Sequence, residues 1–229
     1  METHGRCPGR TVEAFIGEYA SGKTEVSINR ALALRLQGRR VVLLDLDTEE
    51  PVYTVRMVRP ILERRGLKVV SLESHMAFGL GEAGVPVTEE MVTVLRLPGG
   101  VVIDVGYGVH GAAALNLIDG LEDEPSLTVY CVINAKRPMT STPERIARYL
   151  EELDPCHKIV NNTNLGRETT REVILDGVEV VTEASRISGK PVAAVSVDAR
   201  IAEGLGLDRM DLGAPLWRLE LFMTGKPKL

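Results

Sequence analysis

The 229-residue sequence has few aromatic residues, few cysteines and no excess of positive charge. Aromatic residues make up only 4% of the chain, which argues against a stacking surface for single-stranded nucleic acid. With 27 Lys and Arg against 32 Asp and Glu, the formal net charge is −5, so a global basic field is absent. We therefore expect no nucleic-acid partner.

Disulfides, metal clusters and membrane spans are also not indicated. The three cysteines, Cys7, Cys131 and Cys156, are far apart and form no C-x-x-C pair, which is typical of reduced thiols. No stretch reaches the ~18 uninterrupted apolar residues of a membrane span. Residues 1–10 have no apolar signal-peptide core. Together these absences predict a cytoplasmic protein without a membrane partner.

Apolar runs typical of buried strands alternate with helical patterns along the chain. Strands are predicted over residues 11–16, 41–44, 67–72, 101–105, 127–134, 157–160 and 192–195. Helices are predicted over residues 23–37, 55–65, 88–95, 143–153, 171–188, 198–204 and 214–223, with a break at Gly177 left open. The alternation predicts an α/β fold, a doubly wound and mostly parallel sheet with helices on both faces.

The domain organisation follows from the same reading. Residues 1–10 are polar and rich in Gly and Pro, so we expect a flexible N-terminus there. Residues 11–229 contain no obvious linker and are expected to form one domain. The Gly-rich segment at residues 75–86 predicts a mobile loop.

A phosphate-binding loop is the most specific motif in the sequence. The motif G-x-x-x-x-G-K-[ST] is matched in full by Gly17, Glu18, Tyr19, Ala20, Ser21, Gly22, Lys23 and Thr24. Such a loop curls so that backbone N–H groups point at phosphate oxygens, and the following helix adds its positive N-terminal end. Lys23 would reach the β- and γ-phosphates, and the Thr24 hydroxyl would bind Mg²⁺. The loop also lies between a predicted strand and a predicted helix, as this mechanism requires.

Acidic residues follow two of the other predicted strands. Asp45 and Asp47 come directly after the apolar run 41–44, and Asp104 ends the run 101–103. Ligands in open α/β sheets bind at the carboxyl ends of strands, so these carboxylates would face the phosphates. An apolar strand that ends in one Asp is the Walker B pattern, which holds Mg²⁺ through water. A solvated acidic turn at residues 45–50 is the alternative for the first pair.

Together these elements resemble the MinD/ParA group of P-loop ATPases, which includes the nitrogenase iron protein. The family's LLDLD strand end is matched by residues 43–47, and its D-x-x-x-G switch by Asp104 and Gly108. The resemblance implies ATP and Mg²⁺ as ligands, Asp47 as the residue that orients the attacking water, and Asp45 near the magnesium shell. It also implies Asp104 as the Walker B carboxylate and Gly108 as a contact of the γ-phosphate.

The resemblance extends to the base site, but the phosphate loop departs from the family pattern. The segment 158–162 resembles a family strand that ends in an asparagine that reads the base, so Asn161 or Asn162 would read adenine, and no N-K-x-D guanine signature stands there. The family loop reads G-K-G-G-x-G-K-T, and here Glu18 replaces the lysine that crosses a dimer to the partner's phosphates. Tyr19 and Ala20 replace two of its glycines.

Three functions fit this pattern. The first is an ATP-binding switch protein, a slow ATPase that regulates or loads an unidentified protein partner, with a homodimer as one possible assembly. The second is an ATP-dependent biosynthetic enzyme of the dethiobiotin-synthetase or cobyrinate-amidase type, in which residues 78–86 would form a substrate lid. The third is a regulator that binds a nucleoside triphosphate without hydrolysing it.

Overall fold

The computed structural model describes residues 10–48, 54–72, 86–207 and 212–223. Within these ranges eight strands form one sheet, in the order β3-β2-β4-β1-β5-β6-β7-β8, and every neighbouring pair is parallel. The strands are β1 Val12–Gly17, β2 Val41–Leu46, β3 Lys68–Val70, β4 Gly100–Val105, β5 Leu127–Ile133, β6 Lys158–Asn161, β7 Val192–Asp198 and β8 Leu216–Leu219. The predicted α/β fold class is confirmed, and β1 lies in the middle of the sheet.

Helices cover both faces of this sheet. They are α1 Lys23–Leu36, α2 Arg59–Arg64, α3 Glu89–Val92, α4 Gly108–Ala113, α5 Pro143–Glu152, α6 Arg171–Ser188 and α7 Ala199–Gly204. Because successive side chains of a strand point to opposite faces, β1 contributes to two cores. Ala14 belongs to one core with Ile146 of α5 and Val181 of α6, and Phe15 belongs to the opposite core with Ala31 of α1.

The last predicted helix, over residues 214–223, is wrong. The segment contains β8, which pairs with β7, and its extended continuation lies against α1. The Glu25 carboxylate of α1 accepts hydrogen bonds from the backbone N–H groups of Phe222 and Met223 at 2.6 to 2.9 Å. Asn29 of α1 exchanges two hydrogen bonds with the Glu220 backbone at 2.8 Å. Backbone groups that a helix would use internally are therefore bound by α1.

The break left open at Gly177 does not occur, since α6 runs continuously from Arg171 to Ser188. A Cβ atom on Gly177 would lie 2.4 to 2.6 Å from the Thr163 side chain, so this glycine allows α6 to approach the segment after β6. Similarly, the predicted helix 55–65 is a 3₁₀ turn, Val55–Val58, followed by α2.

Some expectations lie outside the described residues. These are the flexible N-terminus, apart from Arg10, and nearly all of the mobile loop 75–86 with the lid at 78–86. In the part of the chain that the structure describes, no helix is long and apolar enough to cross a membrane.

Candidate functional site

The loop between β1 and α1 has the backbone curvature that the motif predicts. Gly17 and Gly22 have φ angles of +147° and +91°, which side-chain-bearing residues rarely adopt. A Cβ atom on Gly17 would lie 2.5 Å from the Val132 carbonyl oxygen of β5. Ala20 also has a positive φ, +54°, although it is not a glycine. The loop therefore turns sharply between the end of a central strand and the first turn of α1.

Lys23 is buried at the start of α1, and its Nζ donates a hydrogen bond to the Glu18 carbonyl oxygen at 3.1 Å. Burial lowers the pKa of Lys23, and the charges of Asp104 and Asp47 oppose part of that shift. The ammonium group is thus held across the loop, within the electrostatic field of both carboxylates. Thr24, the next residue, is half-buried.

Asp104, near the carboxyl end of β4, is fully buried, and neither of its carboxylate oxygens has a hydrogen-bond partner. Burial raises its pKa from 3.8 to about 8, and the charges of Asp45 and Asp47 add to the effect. The Thr24 hydroxyl and Lys23 lower that pKa in part, although neither makes a well-formed hydrogen bond to the carboxylate. A buried carboxyl group with unsatisfied oxygens beside a threonine hydroxyl fits a metal ion or its bound water.

Asp45 lies in register with Asp104 on the neighbouring strand, and its side chain is bound by protein groups. Both of its carboxylate oxygens are bound to Arg56, with Nε–Oδ2 at 2.9 Å and Nη2–Oδ1 at 3.3 Å. The Thr54 hydroxyl donates to the same carboxylate at 2.8 Å, and the Asp47 backbone N–H donates at 3.2 Å. Protein groups therefore bind both oxygens of the Asp45 carboxylate.

Asp47 is held through its backbone by the same ion pair. Its N–H donates to Asp45, and its carbonyl oxygen accepts a hydrogen bond from Arg56 Nη2 at 2.7 Å. The Asp47 charge acts on Lys23 and on Asp104, so the side chain belongs to the same acidic group. Sequence reasoning did not identify Arg56, because it is one of several arginines in an apparently ordinary helical segment.

Tyr19, one of the residues that distinguish this loop from the family pattern, contacts the segment after Asp104. Tyr19 meets Tyr107 edge to face, with ring centroids 5.5 Å apart and planes at 81°. Both rings are exposed, by 61% and 40%. The Glu18 carboxylate accepts the Tyr19 backbone N–H at 2.9 Å. Gly108 follows with a φ of +66° and open space around it. The phosphate loop and the segment after β4 are therefore in direct contact.

Asn161 and Asn162 lie at the end of β6, as predicted, but their side chains bind protein groups. Asn161 Oδ1 accepts hydrogen bonds from the backbone N–H and the hydroxyl of Thr163 at 3.0 and 2.7 Å. Asn162 Nδ2 donates to the Ser21 carbonyl oxygen at 2.8 Å, and its Oδ1 accepts from the Ser196 hydroxyl at 2.9 Å. Both ends of the Asn162 amide are therefore engaged by protein groups.

No group of three or more His, Cys, Asp or Glu in the described ranges could hold a metal ion by itself. In nucleotide sites Mg²⁺ takes ligands from phosphate oxygens and water as well as from one or two protein groups. Thr24 and Asp104 are the protein groups whose chemistry and position fit such an ion.

A scan against protein-family models gives no match, and a search of curated proteins gives none. Solved structures do match. The signal recognition particle receptor FtsY from Elizabethkingia anophelis is similar with a TM-score of 0.55 and 18% identity over 91% of this chain. The chain spans 63% of that structure, less than two thirds of its length.

Two further structures carry nucleotides. The signal recognition particle 54 kDa protein from Aeropyrum pernix K1, in complex with GDP, matches with a TM-score of 0.54 and 18% identity over 82% of this chain and 41% of its own. A nucleotide-binding protein from Archaeoglobus fulgidus, in complex with ADP, matches with a TM-score of 0.53 and 16% identity over 90% of both chains. At these identities the comparisons establish the fold and do not single out the MinD/ParA group. The chain has the fold of P-loop NTPases.

Proposed function

We propose that the protein binds a nucleoside triphosphate with Mg²⁺ at residues 17–24 and acts as a nucleotide-dependent switch. The observation that carries the proposal is Asp104, a buried carboxyl group with two unsatisfied oxygens at the end of the strand beside the loop. Burial without a partner is costly, and a cation with its bound water would relieve that cost. Thr24 and Asp104 would hold Mg²⁺, which when bound neutralises phosphate charge.

Each remaining side chain has a role that its contacts support. Lys23 would exchange its hydrogen bond with the Glu18 carbonyl oxygen for the β- and γ-phosphates, which are stronger acceptors for an ammonium group. Backbone N–H groups of residues 22–24 would contact the phosphates, with the N-terminal end of α1 behind them. Asp47 would orient the attacking water, and its backbone is already fixed by Asp45 and Arg56.

The switch part of the proposal rests on the segment after Asp104. Tyr107 and Val109 are exposed by 40% and 49%, and they flank Gly108, the proposed γ-phosphate contact. A triphosphate that draws Gly108 towards the loop would move both apolar side chains. The affinity of an unidentified partner protein would depend on the positions of these two side chains. With Glu18 in place of the family's lysine, nothing on this loop supplies a positive charge to a second subunit, so a homodimer would need other contacts.

For the base we propose adenine, because no N-K-x-D signature stands at the end of β6. Structural neighbours in complex with ADP and with GDP make guanine the alternative. Titration calorimetry with ATP, ADP, GTP and GDP, each with and without Mg²⁺, tests both points. Failure of all four nucleotides to bind at millimolar concentration would reject the proposed function.

The matched variants are Lys23→Ala and Lys158→Ala. Lys23→Ala should weaken triphosphate binding by about 2 kcal/mol or more, the scale of a lost charge-assisted contact. Lys158 is exposed at the opposite, amino end of β6, so Lys158→Ala should leave binding unchanged. Equal affinities of Lys23→Ala and the unmodified protein would reject the loop as the site. Phosphate release, measured in parallel, separates a slow ATPase from a regulator that does not hydrolyse its nucleotide.

A further inference from the structure

The Asn162 side chain is a buried link between the phosphate loop and two neighbouring strands. Asn162 is 5% exposed, and the Asn162 backbone N–H donates to the Ile133 carbonyl oxygen of β5 at 2.7 Å. From there the amide reaches the Ser21 carbonyl oxygen on one side and the Ser196 hydroxyl of β7 on the other. Because a carbonyl oxygen can only accept, the Ser21 carbonyl fixes which end of the amide faces the loop, and the Ser196 hydroxyl donates to the other end.

Buried carbonyl groups of the loop that point outward, away from the phosphate site, need hydrogen-bond donors from elsewhere in the fold. Two of those outward carbonyls are bound by side chains from elsewhere in the fold. Asn162 binds the Ser21 carbonyl, and Arg137 Nε binds the Ala20 carbonyl oxygen at 3.2 Å. Ala20 has a left-handed φ of +54°, which costs a residue with a Cβ atom more than it costs glycine. External hydrogen bonds thus stabilise a curvature that glycines favour in the family pattern.

The fit between Asn162 and the loop is close. A Cβ atom on Gly22 would lie 2.2 Å from Asn162 Nδ2, so the amide occupies the space beside the residue that precedes α1. Turning the amide outward to a base would leave the buried Ser21 carbonyl without this donor, which is unfavourable.

We propose that Asn162, supported by Ser196, is a positioning residue that sets the phosphate loop for binding and does not read the nucleotide base. This inference rests on the proposed function, because it assigns the loop's phosphate affinity in part to a side chain on β6. It places the determinant of loop shape outside the loop, in residues that the motif does not contain.

The test compares ligands with and without a base. Affinities for ATP, GTP and tripolyphosphate, each with Mg²⁺, are measured by calorimetry for Asn162→Asp, Ser196→Ala and Arg137→Ala. Asn162→Asp keeps the acceptor for Ser196 and turns an oxygen towards the Ser21 carbonyl. The control is Ser185→Ala, which removes a hydroxyl that donates to the Lys190 carbonyl oxygen at 2.7 Å, on α6 and away from the loop.

We expect Asn162→Asp to weaken all three ligands by one common factor of about 10 to 100, from the usual cost of an unsatisfied buried polar group. Ser196→Ala and Arg137→Ala should give smaller losses that are again equal for the three ligands, and Ser185→Ala should give none. A loss confined to ATP or GTP, with unchanged tripolyphosphate affinity, would overturn the proposal in favour of base reading. Unchanged affinities throughout would overturn it as well.

A variant that does not fold and an unmodified protein that binds no ligand lead to different conclusions. If Asn162→Asp does not fold, Ser196→Ala decides, since it leaves Asn162 in place and removes only its support. An unmodified protein that binds none of the three ligands would overturn the proposed function itself. That result differs from an unmodified protein that binds and variants that bind equally well, which would overturn only the role of Asn162.

Discussion

Replacing Asp104 with asparagine should stabilise the ligand-free protein increasingly as pH rises, while removing Mg²⁺-dependent nucleotide binding. Asp104 is fully buried without a hydrogen-bond partner, and burial raises its pKa to about 8. An amide has nearly the same size as the carboxyl group and carries no charge. The variant therefore removes the cost of ionising this group inside the fold.

The direction and size of this change in the free energy of unfolding follow from the pKa of Asp104 in the unfolded and folded states. In the unfolded chain the carboxyl group titrates near 3.8, and in the folded chain at about 8. Between these values the folded state binds more protons, so the free energy of unfolding falls as pH rises, until the group is ionised in both states. From about pH 6 to pH 8 this loss amounts to roughly 2 kcal/mol, because each pKa unit corresponds to about 1.4 kcal/mol.

Urea unfolding with EDTA, for both proteins at several pH values, measures the effect. The difference in unfolding free energy between Asp104→Asn and the unmodified protein should grow by about 2 kcal/mol between about pH 6 and pH 8, then level off. Groups common to both proteins largely cancel in this difference. A difference independent of pH would show that Asp104 is ionised throughout, and the reasoning on its burial would be refuted.

Other substitutions test the surroundings of this carboxyl group. Arg56→Met should destabilise the protein by about 3 to 5 kcal/mol in urea unfolding, because it leaves Asp45 as an uncompensated buried charge. Adding Asp45→Asn should recover part of the loss, and no recovery would contradict the pairing. If the protein hydrolyses its nucleotide, Asp47→Ala should lower phosphate release about 100-fold with affinity little changed; an unchanged rate would reject its role. Gly177→Ala should lower stability by about 1 to 3 kcal/mol through the clash with Thr163, and an unchanged melting temperature would argue against close packing there.

Much of the architecture was predictable from local patterns. The buried strands around Ile103 and Leu43 are continuous apolar runs, because parallel strands are covered on both faces. Gly17 and Gly22 marked the loop, since the turn needs positive φ angles. The segment around Trp217 was predicted as a helix because its apolar spacing suits one. Residues 216–219 pair with β7, and the N–H groups of Phe222 and Met223 are bound by Glu25, which lies nearly 200 residues earlier in the chain.

In the candidate site, too, some features are encoded locally and others depend on distant residues. The phosphate loop and the strand-end carboxylates could be predicted from the sequence, because each is encoded within a few consecutive residues. The groups that those carboxylates and amides bind are set by the tertiary structure. Asp45 forms an ion pair with Arg56, and the Asn162 amide forms hydrogen bonds with Ser21 and Ser196. The Asp104 carboxyl group, in contrast, has two oxygens without a hydrogen-bond partner. These outcomes depend on which distant strands and turns meet at the carboxyl edge of the sheet, and local periodicity carries no information about such partners.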